Sequence, residues 1–264
     1  MHNKNRSKPN GDPPLLEIAC FNEDSAMIAA RAGADRIELC RDYALGGLSP
    51  EPKTVAALKS QLSIPIYVMA RPHAESFYYS DADFEAMKHT MTAFKDQGAD
   101  GFVFGILNQS SQYASGEMVP QIDVSRNKEL VELAEGRPCT FHRAFDLIPE
   151  SQWDAALTDI VKCGFRSILT SGGPSGTTAM ECVNQLANLV ERVERLGKRM
   201  GRDAALPQII VGGGVRAANI ELLREKTHAP AFHSAALTQS KELVSDVEVK
   251  ALRDSLDKKS ELAG

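Results

Sequence analysis

The chain has 264 residues and a formal net charge of −5, with a composition ordinary for a soluble globular protein. The length suits one α/β barrel, and the mild acidity offers no basic surface to nucleic acid or to an anionic membrane. No apolar run approaches the roughly 20 residues that span a bilayer.

Met1 to Pro14 is polar, mildly basic and closed by two prolines. It lacks the apolar segment of a secretory signal and reads as a disordered tail. Leu15–Cys20 is the first short β-rich run. The stretch Ala30 to Glu51 then reads as a helix end, a second strand over Arg36–Cys40, a Gly46-Gly47 loop and a helix opened by Ser49-Pro50-Glu51. In that opening Ser is the N-cap, Pro takes the first helical position and Glu follows. Ile66–Ala70 is the third strand, and Ser80-Asp81-Ala82-Asp83 opens a helix through Lys95. Gly101–Gly105 is the fourth strand, and the Ser- and Gln-rich stretch Asn108 to Pro120 reads as an exposed loop. Cys139–His142, Ser167–Thr170, Gln208–Val211 and Ala231–His233 complete the strands, with Asn219 capping a short helix Ile220–Lys226.

Eight strands separated by helix-length segments predict a parallel sheet with crossover helices. A repeat supports this: Ala32-Gly33-Ala34-Asp35, Gln97-Gly98-Ala99-Asp100 and Cys163-Gly164-Phe165-Arg166 each set a glycine three residues before an even-numbered strand. Such a glycine takes the left-handed conformation that ends a helix. Pro14, Pro65, Pro138 and Pro207 sit at the starts of the odd strands, where a missing N–H is harmless. Even strands are thus glycine-led and odd strands proline-led. The expected fold class is α/β, a single-domain TIM (β/α)8 barrel, with no linker dividing the chain.

Five cysteines, Cys20, Cys40, Cys139, Cys163 and Cys182, are widely spaced without a Cys-x-x-Cys pair. That pattern argues against a disulfide framework or structural zinc and for a reducing cytoplasm.

In such barrels the chemistry sits at the C-terminal strand ends. There Glu17, Glu38, Arg71, His142, Arg143 and Asp146 form a charged set, in which Glu38 fits as a partner of Arg71. Two readings stand side by side: an active site with a carboxylate or His142 as general acid or base and an arginine holding an anion, or a salt-bridge network closing the barrel. Cys20 and Cys40, on neighbouring strands, either pack or offer soft thiolates to Cu(I), or to Zn(II) if other ligands join, with Met69 as a third soft donor. Glu17 and Cys20 have opposite parity and share a face only if the strand ends or bulges between them. Gly212-Gly213-Gly214 resembles a phosphate loop, and Ser171, Gly172 and Ser234 can line the same anion pocket or simply turn the chain.

Together these residues resemble the CutC family of copper homeostasis proteins. The resemblance rests on Leu16-Glu17-Ile18-Ala19-Cys20, Gly33-Ala34-Asp35-Arg36-Ile37-Glu38-Leu39-Cys40, Gly46-Gly47-Leu48-Ser49-Pro50 and Pro65-Ile66-Tyr67-Val68-Met69-Ala70-Arg71-Pro72. It continues through Thr140-Phe141-His142-Arg143-Ala144-Phe145-Asp146, Leu169-Thr170-Ser171-Gly172 and Gly212-Gly213-Gly214, in family order. After strand eight the chain departs, with Leu237 where the family carries a basic residue.

The resemblance implies a CutC-like TIM barrel over residues 15–264 with a C-terminal helical tail, a cytoplasmic location, homo-oligomers and Cu(I) held by Cys20 and Cys40. It implies no defined substrate. The enzyme reading, on a small anionic or phosphorylated metabolite, remains the alternative, with Glu17, Glu38, Arg71, His142 and Asp146 as its catalytic set.

Overall fold

The computed structural model describes residues 13–110, 118–201, 204–239 and 243–258. Eight parallel strands close on themselves: β1 (Leu15–Cys20), β2 (Arg36–Leu39), β3 (Ile66–Met69), β4 (Gly101–Phe104), β7 (Cys139–Phe141), β8 (Ser167–Thr170), β9 (Gln208–Val211) and β10 (Ala231–Ser234), which returns to β1. The expected barrel is therefore the fold. Its surrounding helices are α1 (Glu23–Arg31), α2 (Pro52–Lys59), α3 (Asp81–Asp96), α4 (Val124–Leu133), α5 (Trp153–Cys163), α6 (Val183–Met200), α7 (Ile220–Thr227) and α8 (Asp246–Asp257). The C-terminal helix α8 contacts α7, α1 and β1, so it is the eighth helix of the ring.

The repeated glycines behave as their sequence context requires. Gly33, Gly98 and Gly164 have φ of +104°, +86° and +92°. The aspartates that follow the first two explain why the repeat carries them. Asp35 Oδ2 accepts from the Leu16 amide (2.7 Å) and Asp100 Oδ2 from the Ile66 amide (2.8 Å), each satisfying a donor of the preceding strand. The alternation stops at the eighth barrel strand. There α7 ends on His228 at φ +52°, and Pro230 precedes β10.

Helix starts differ in detail. α3 opens with the full capping box, Ser80 and Asp83 exchanging side-chain and backbone bonds. α2 begins at Pro52, two residues after Pro50, with Glu51 at the cap. Ser49 is occupied elsewhere: its hydroxyl accepts from the Arg71 amide (2.8 Å) and donates to the Arg71 carbonyl (3.1 Å). Asn219 stands at the start of α7, but its side chain ties the preceding loop, accepting from the Arg216 amide and donating to the Gly214 carbonyl.

The stretch expected as a loop after the fourth strand holds an antiparallel hairpin, β5 (Leu107–Ser110) with β6 (Val119–Ile122). Polar side chains on its outer face masked the apolar Leu107, Val119 and Ile122 that anchor it. Residues 111–117 of that expected loop, and residues 1–12 of the expected tail, lie outside the described residues.

The main hydrophobic core fills the layer between sheet and helices, with Phe102, Phe104, Phe141, Phe165 and Phe232 fully buried. Inside the barrel the packing changes. A small apolar cluster of Leu169, Ile210 and Ala231 with Leu15 lies on one side, and Cys40, Tyr67, Met69 and Val103 form another. Between them, positions that a barrel usually fills with branched apolar residues carry charge.

Candidate functional site

Strand register builds the charged cluster. Glu17 on β1 is paired with Arg36 on β2 and, across the closing seam, with His233 on β10. In-register neighbours on adjacent strands place their side chains together on one face. The Arg36 guanidinium accordingly donates through Nε to Glu17 Oε2 (2.6 Å) and lies 4.1 Å over the Tyr67 ring. His233 Nδ1 stands 2.8 Å from Glu17 Oε1 and 4.0 Å from Glu38 Oε2. Glu38, two residues beyond Arg36, adds the second carboxylate, and its Oε1 accepts from the Cys40 thiol (3.4 Å).

The three ionisable neighbours feel this differently. Burial pushes Glu17 up, but Arg36 and His233 outweigh it and hold the carboxyl down at about 2. At neutral pH Glu17 is therefore a pure acceptor, and His233 Nδ1 carries the proton between them. Burial, with the Glu17 charge, raises Glu38 despite the pull of His233. Burial works against the charged form of His233, yet Glu38 and Glu17 overcome it and raise its pKa.

A second set of polar groups gathers on the wall of β3, β7 and β8. His142 follows β7, where Gly105 leaves it room: a Cβ there would stand 2.8 Å from His142 Nδ1. Burial, then the Arg71 charge, lowers His142 to about 3, so the imidazole is neutral. Its Nδ1 accepts from the Ala144 amide (3.3 Å), and its ring packs against Phe77 with centroids 4.7 Å apart. Arg71 is spent on the chain: its Nη1 donates to the carbonyls of Leu45, Gly46 and Gly47, and its Nη2 to that of Ala74. Asp146 accepts from Thr170 Oγ1 (2.5 Å), the Ser171 amide (3.1 Å) and Arg143 Nε (2.7 Å).

The five residues read from the sequence as one catalytic set thus fall into two groups. Glu17 and Glu38 meet each other around His233; Arg71, His142 and Asp146 belong to the opposite wall. Arg71 is not the partner of Glu38.

A cavity of about 430 Å³ opens between the walls at the C-terminal ends of the strands, lined by Glu38, Cys40, Met69, His142, Arg143 and His233 among others. Cys40 is the one cysteine among the described residues that lines it. Cys20 lies in the other layer. β1 and β2 pair one to one without a bulge, so Cys20 aligns with Leu39 and joins the apolar packing under the helices, its thiol 3.6 Å from the Ile18 carbonyl. Burial and the Glu38 charge push both thiols well above the ordinary cysteine range, which makes them inert as nucleophiles.

The expected anion residues divide as well. The Ser171 hydroxyl accepts from Arg143 Nη2 (3.1 Å) and donates to Asp146 (3.1 Å), the Gly172 amide donates to Thr170 Oγ1 (2.9 Å), and the Ser234 hydroxyl donates to the Val215 carbonyl (2.7 Å). Ser171 and Gly172 shape the loops, while Ser234 lines the cavity with its hydroxyl turned back to the chain. Facing the cavity with it are Arg143, with 39% of its side chain exposed, and Gly213 and Gly214 at φ of +89° and +76°. A Cβ on Gly213 would stand 2.9 Å from Ser171 Cβ, so only glycine lets this loop approach.

Arg36 and His233 are the members of the cluster that sequence reasoning missed as site residues. Arg36 reads as a boundary charge after Asp35. His233 becomes a neighbour of Glu17 only through barrel closure, 216 residues along the chain. The available signal was parity: Arg36, Glu38 and Cys40 alternate along one strand.

The sequence matches the CutC family over residues 14–238. It is 35% identical over 222 residues to a human protein named copper homeostasis protein cutC homolog, covering 84% of this chain and 73% of that one. A CutC protein of Treponema denticola is 34% identical, with 86% and 83% covered. Among solved structures, that of CutC from Streptococcus agalactiae superposes with a TM-score of 0.73 at 28% identity, covering 84% of this chain and 98% of that one. Phosphoribosylanthranilate isomerase from Thermotoga maritima superposes at 0.58 with 10% identity over 92% of this chain and 98% of that one, which speaks to the barrel alone.

Proposed function

Since the chain belongs to the CutC family, we propose that it serves copper homeostasis by holding Cu(I) in the barrel mouth, with the Cys40 thiol as the anchoring ligand. The observation that carries this is the position of Cys40, facing the cavity beside Met69 with Glu38 3.4 Å from its sulfur. A thiol and a thioether suit soft Cu(I), and the carboxylate charge that disfavours a bare thiolate favours a bound cation. In the two-cysteine site expected from the sequence, Cys20 joins Cys40 only after the end of β1 turns its thiol out of the helix layer. A reducing cytoplasm and self-association belong to the same reading, and the five unpaired thiols support the former.

Titration of the reduced protein with Cu(I) against a chromophoric chelator tests it. Cys40→Ala lowers the affinity roughly tenfold or more, the loss expected for one soft ligand, whereas Cys20→Ala has a much smaller effect. Unaltered affinity in Cys40→Ala overturns the assignment.

A second reading has its own support. Arg143, half-exposed beside the Gly213-Gly214 loop, suits a small anionic or phosphorylated metabolite, as loops after the seventh and eighth barrel strands often do. Inorganic phosphate binding that weakens in Arg143→Ala supports this reading; no phosphate binding in the native protein counts against it.

A further inference from the structure

The side chains around His233 have a geometry that the copper reading does not use. Glu17, Glu38 and His233 each offer a ligand atom, and these atoms all lie within 4.8 Å of one another. Among the described residues no other set of three or more histidine, cysteine, aspartate or glutamate side chains does so. Each carboxylate is held by one oxygen from outside the set: Arg36 takes Glu17 Oε2, and the Cys40 thiol takes Glu38 Oε1. The remaining oxygens, Glu17 Oε1 and Glu38 Oε2, both face His233 Nδ1.

A second observation points to a missing partner. Glu38 is 3% exposed, and its Oε2 is buried with no hydrogen-bond partner among the described residues. A buried carboxylate oxygen left unpaired is costly, and a cation is the simplest group that relieves it. Two carboxylates also face a single guanidinium here, so the cluster with a neutral imidazole carries a net negative charge. Glu38 and His233 line the mouth cavity, which supplies both an entry route and room for water on the ion.

We propose that Glu17 Oε1, Glu38 Oε2 and His233 Nδ1 form a binding site for one divalent transition-metal ion, of the zinc or manganese kind, at the floor of the barrel mouth. Metal–oxygen and metal–imidazole bonds of about 2.0–2.2 Å set ligand atoms roughly 3–4 Å apart around an ion. The Nδ1 to Glu38 Oε2 separation of 4.0 Å already fits, and the 2.8 Å between Nδ1 and Glu17 Oε1 opens slightly as the ion enters. The ion takes the place of the Nδ1 proton, which leaves to solvent. Two carboxylates and one imidazole select a borderline divalent ion over Mg²⁺, which prefers oxygen alone, and over Cu(I), which prefers sulfur. Arg36 then acts as a positioning residue, orienting Glu17 through its other oxygen. The site does not rest on the Cu(I) reading, since its ligands contain no sulfur, although Glu38 neighbours Cys40 and the two sites adjoin.

Zn²⁺ titrated calorimetrically into the metal-free full-length protein, with ¹⁵N-imidazole NMR on the same sample, tests it. The expected result is one ion per chain, a shift of the His233 Nδ1 resonance with Nε2 keeping its proton, and an affinity loss of roughly tenfold or more in Glu38→Gln and in His233→Gln. No saturable binding in the native protein overturns the proposal, as does binding that both folded variants leave within about twofold. Should either variant fail to fold by circular dichroism, the native NMR decides alone: Zn²⁺ binding that leaves His233 Nδ1 unmoved overturns the site.

Discussion

His142 and His233 occupy similar places, at the C-terminal ends of strands on opposite sides of one cavity, yet their surroundings drive them apart. His142 sits among Phe77, Phe141 and the Arg71 charge, with its Nδ1 accepting from a backbone amide, and is held neutral. His233 sits between two carboxylates and gains affinity for a proton. The imidazole is the same in both; the charge of the neighbouring strands decides what each can do. On one wall a neutral ring supports structure beside the Arg143–Asp146 ion pair, and on the other a histidine between two carboxylates can exchange a proton or hold a cation.

The sharpest way to break this contrast is to unbalance the charged wall. Arg36→Leu removes the guanidinium bonded to Glu17 and leaves two buried carboxylates with only His233 to pair them. A loss of about 3–5 kcal/mol in unfolding free energy is expected, read from urea denaturation. A smaller loss is expected on the other wall from Asp146→Ala. Thr170, Ser171 and Arg143 all bond this buried carboxylate, and stranding their donors costs about 2–3 kcal/mol by the same measurement.

Proton linkage sharpens the comparison between the histidines with a gentler effect. The folded value of His142, about 3, lies below the 6.5 of the unfolded chain. Its contribution is therefore whole above pH 6.5 and declines as pH falls from there towards 3. The folded value of His233 lies above 6.5, so its contribution is whole below that pH and is lost as pH rises through the folded value. Each slope is at most about 1.4 kcal/mol per pH unit. His142→Gln should flatten the acid side of the stability profile, and His233→Gln the neutral-to-alkaline side. The opposite assignment would mean the two environments have been exchanged.

The barrel was legible because its signals are local. A glycine that must turn left-handed and a proline at a strand start are visible without knowing any partner. The exception at β10, where His228 ends the helix, shows the limit of the rule: a histidine also enters that conformation when context demands it. The site was half legible. Glu17 and Glu38 stood out as charges in apolar strands. Their real partners did not, because Arg36 and His233 meet Glu17 through register, and register is a property of paired strands. The sequence did carry the warning about Cys20: its parity opposed that of Glu17, and without a bulge the thiol stays on the helix side. Arg71 misled for a different reason. A long flexible side chain reaches whichever acceptors lie near, and here Arg71 bonds the three carbonyls of the Leu45–Gly47 loop.

The seam between β1 and β10 has a consequence for how the molecule comes to work. Glu17 and Arg36 are neighbours early in the chain and belong to one parallel pair, whereas His233 arrives with the last strand. A nascent chain that has laid down β1 to β4 already carries two carboxylates and a guanidinium, and still lacks the imidazole. The centre is thus assembled by the final act of ring closure. Any ligand that needs all three strands would bind only finished molecules, and by mass action would hold the seam shut.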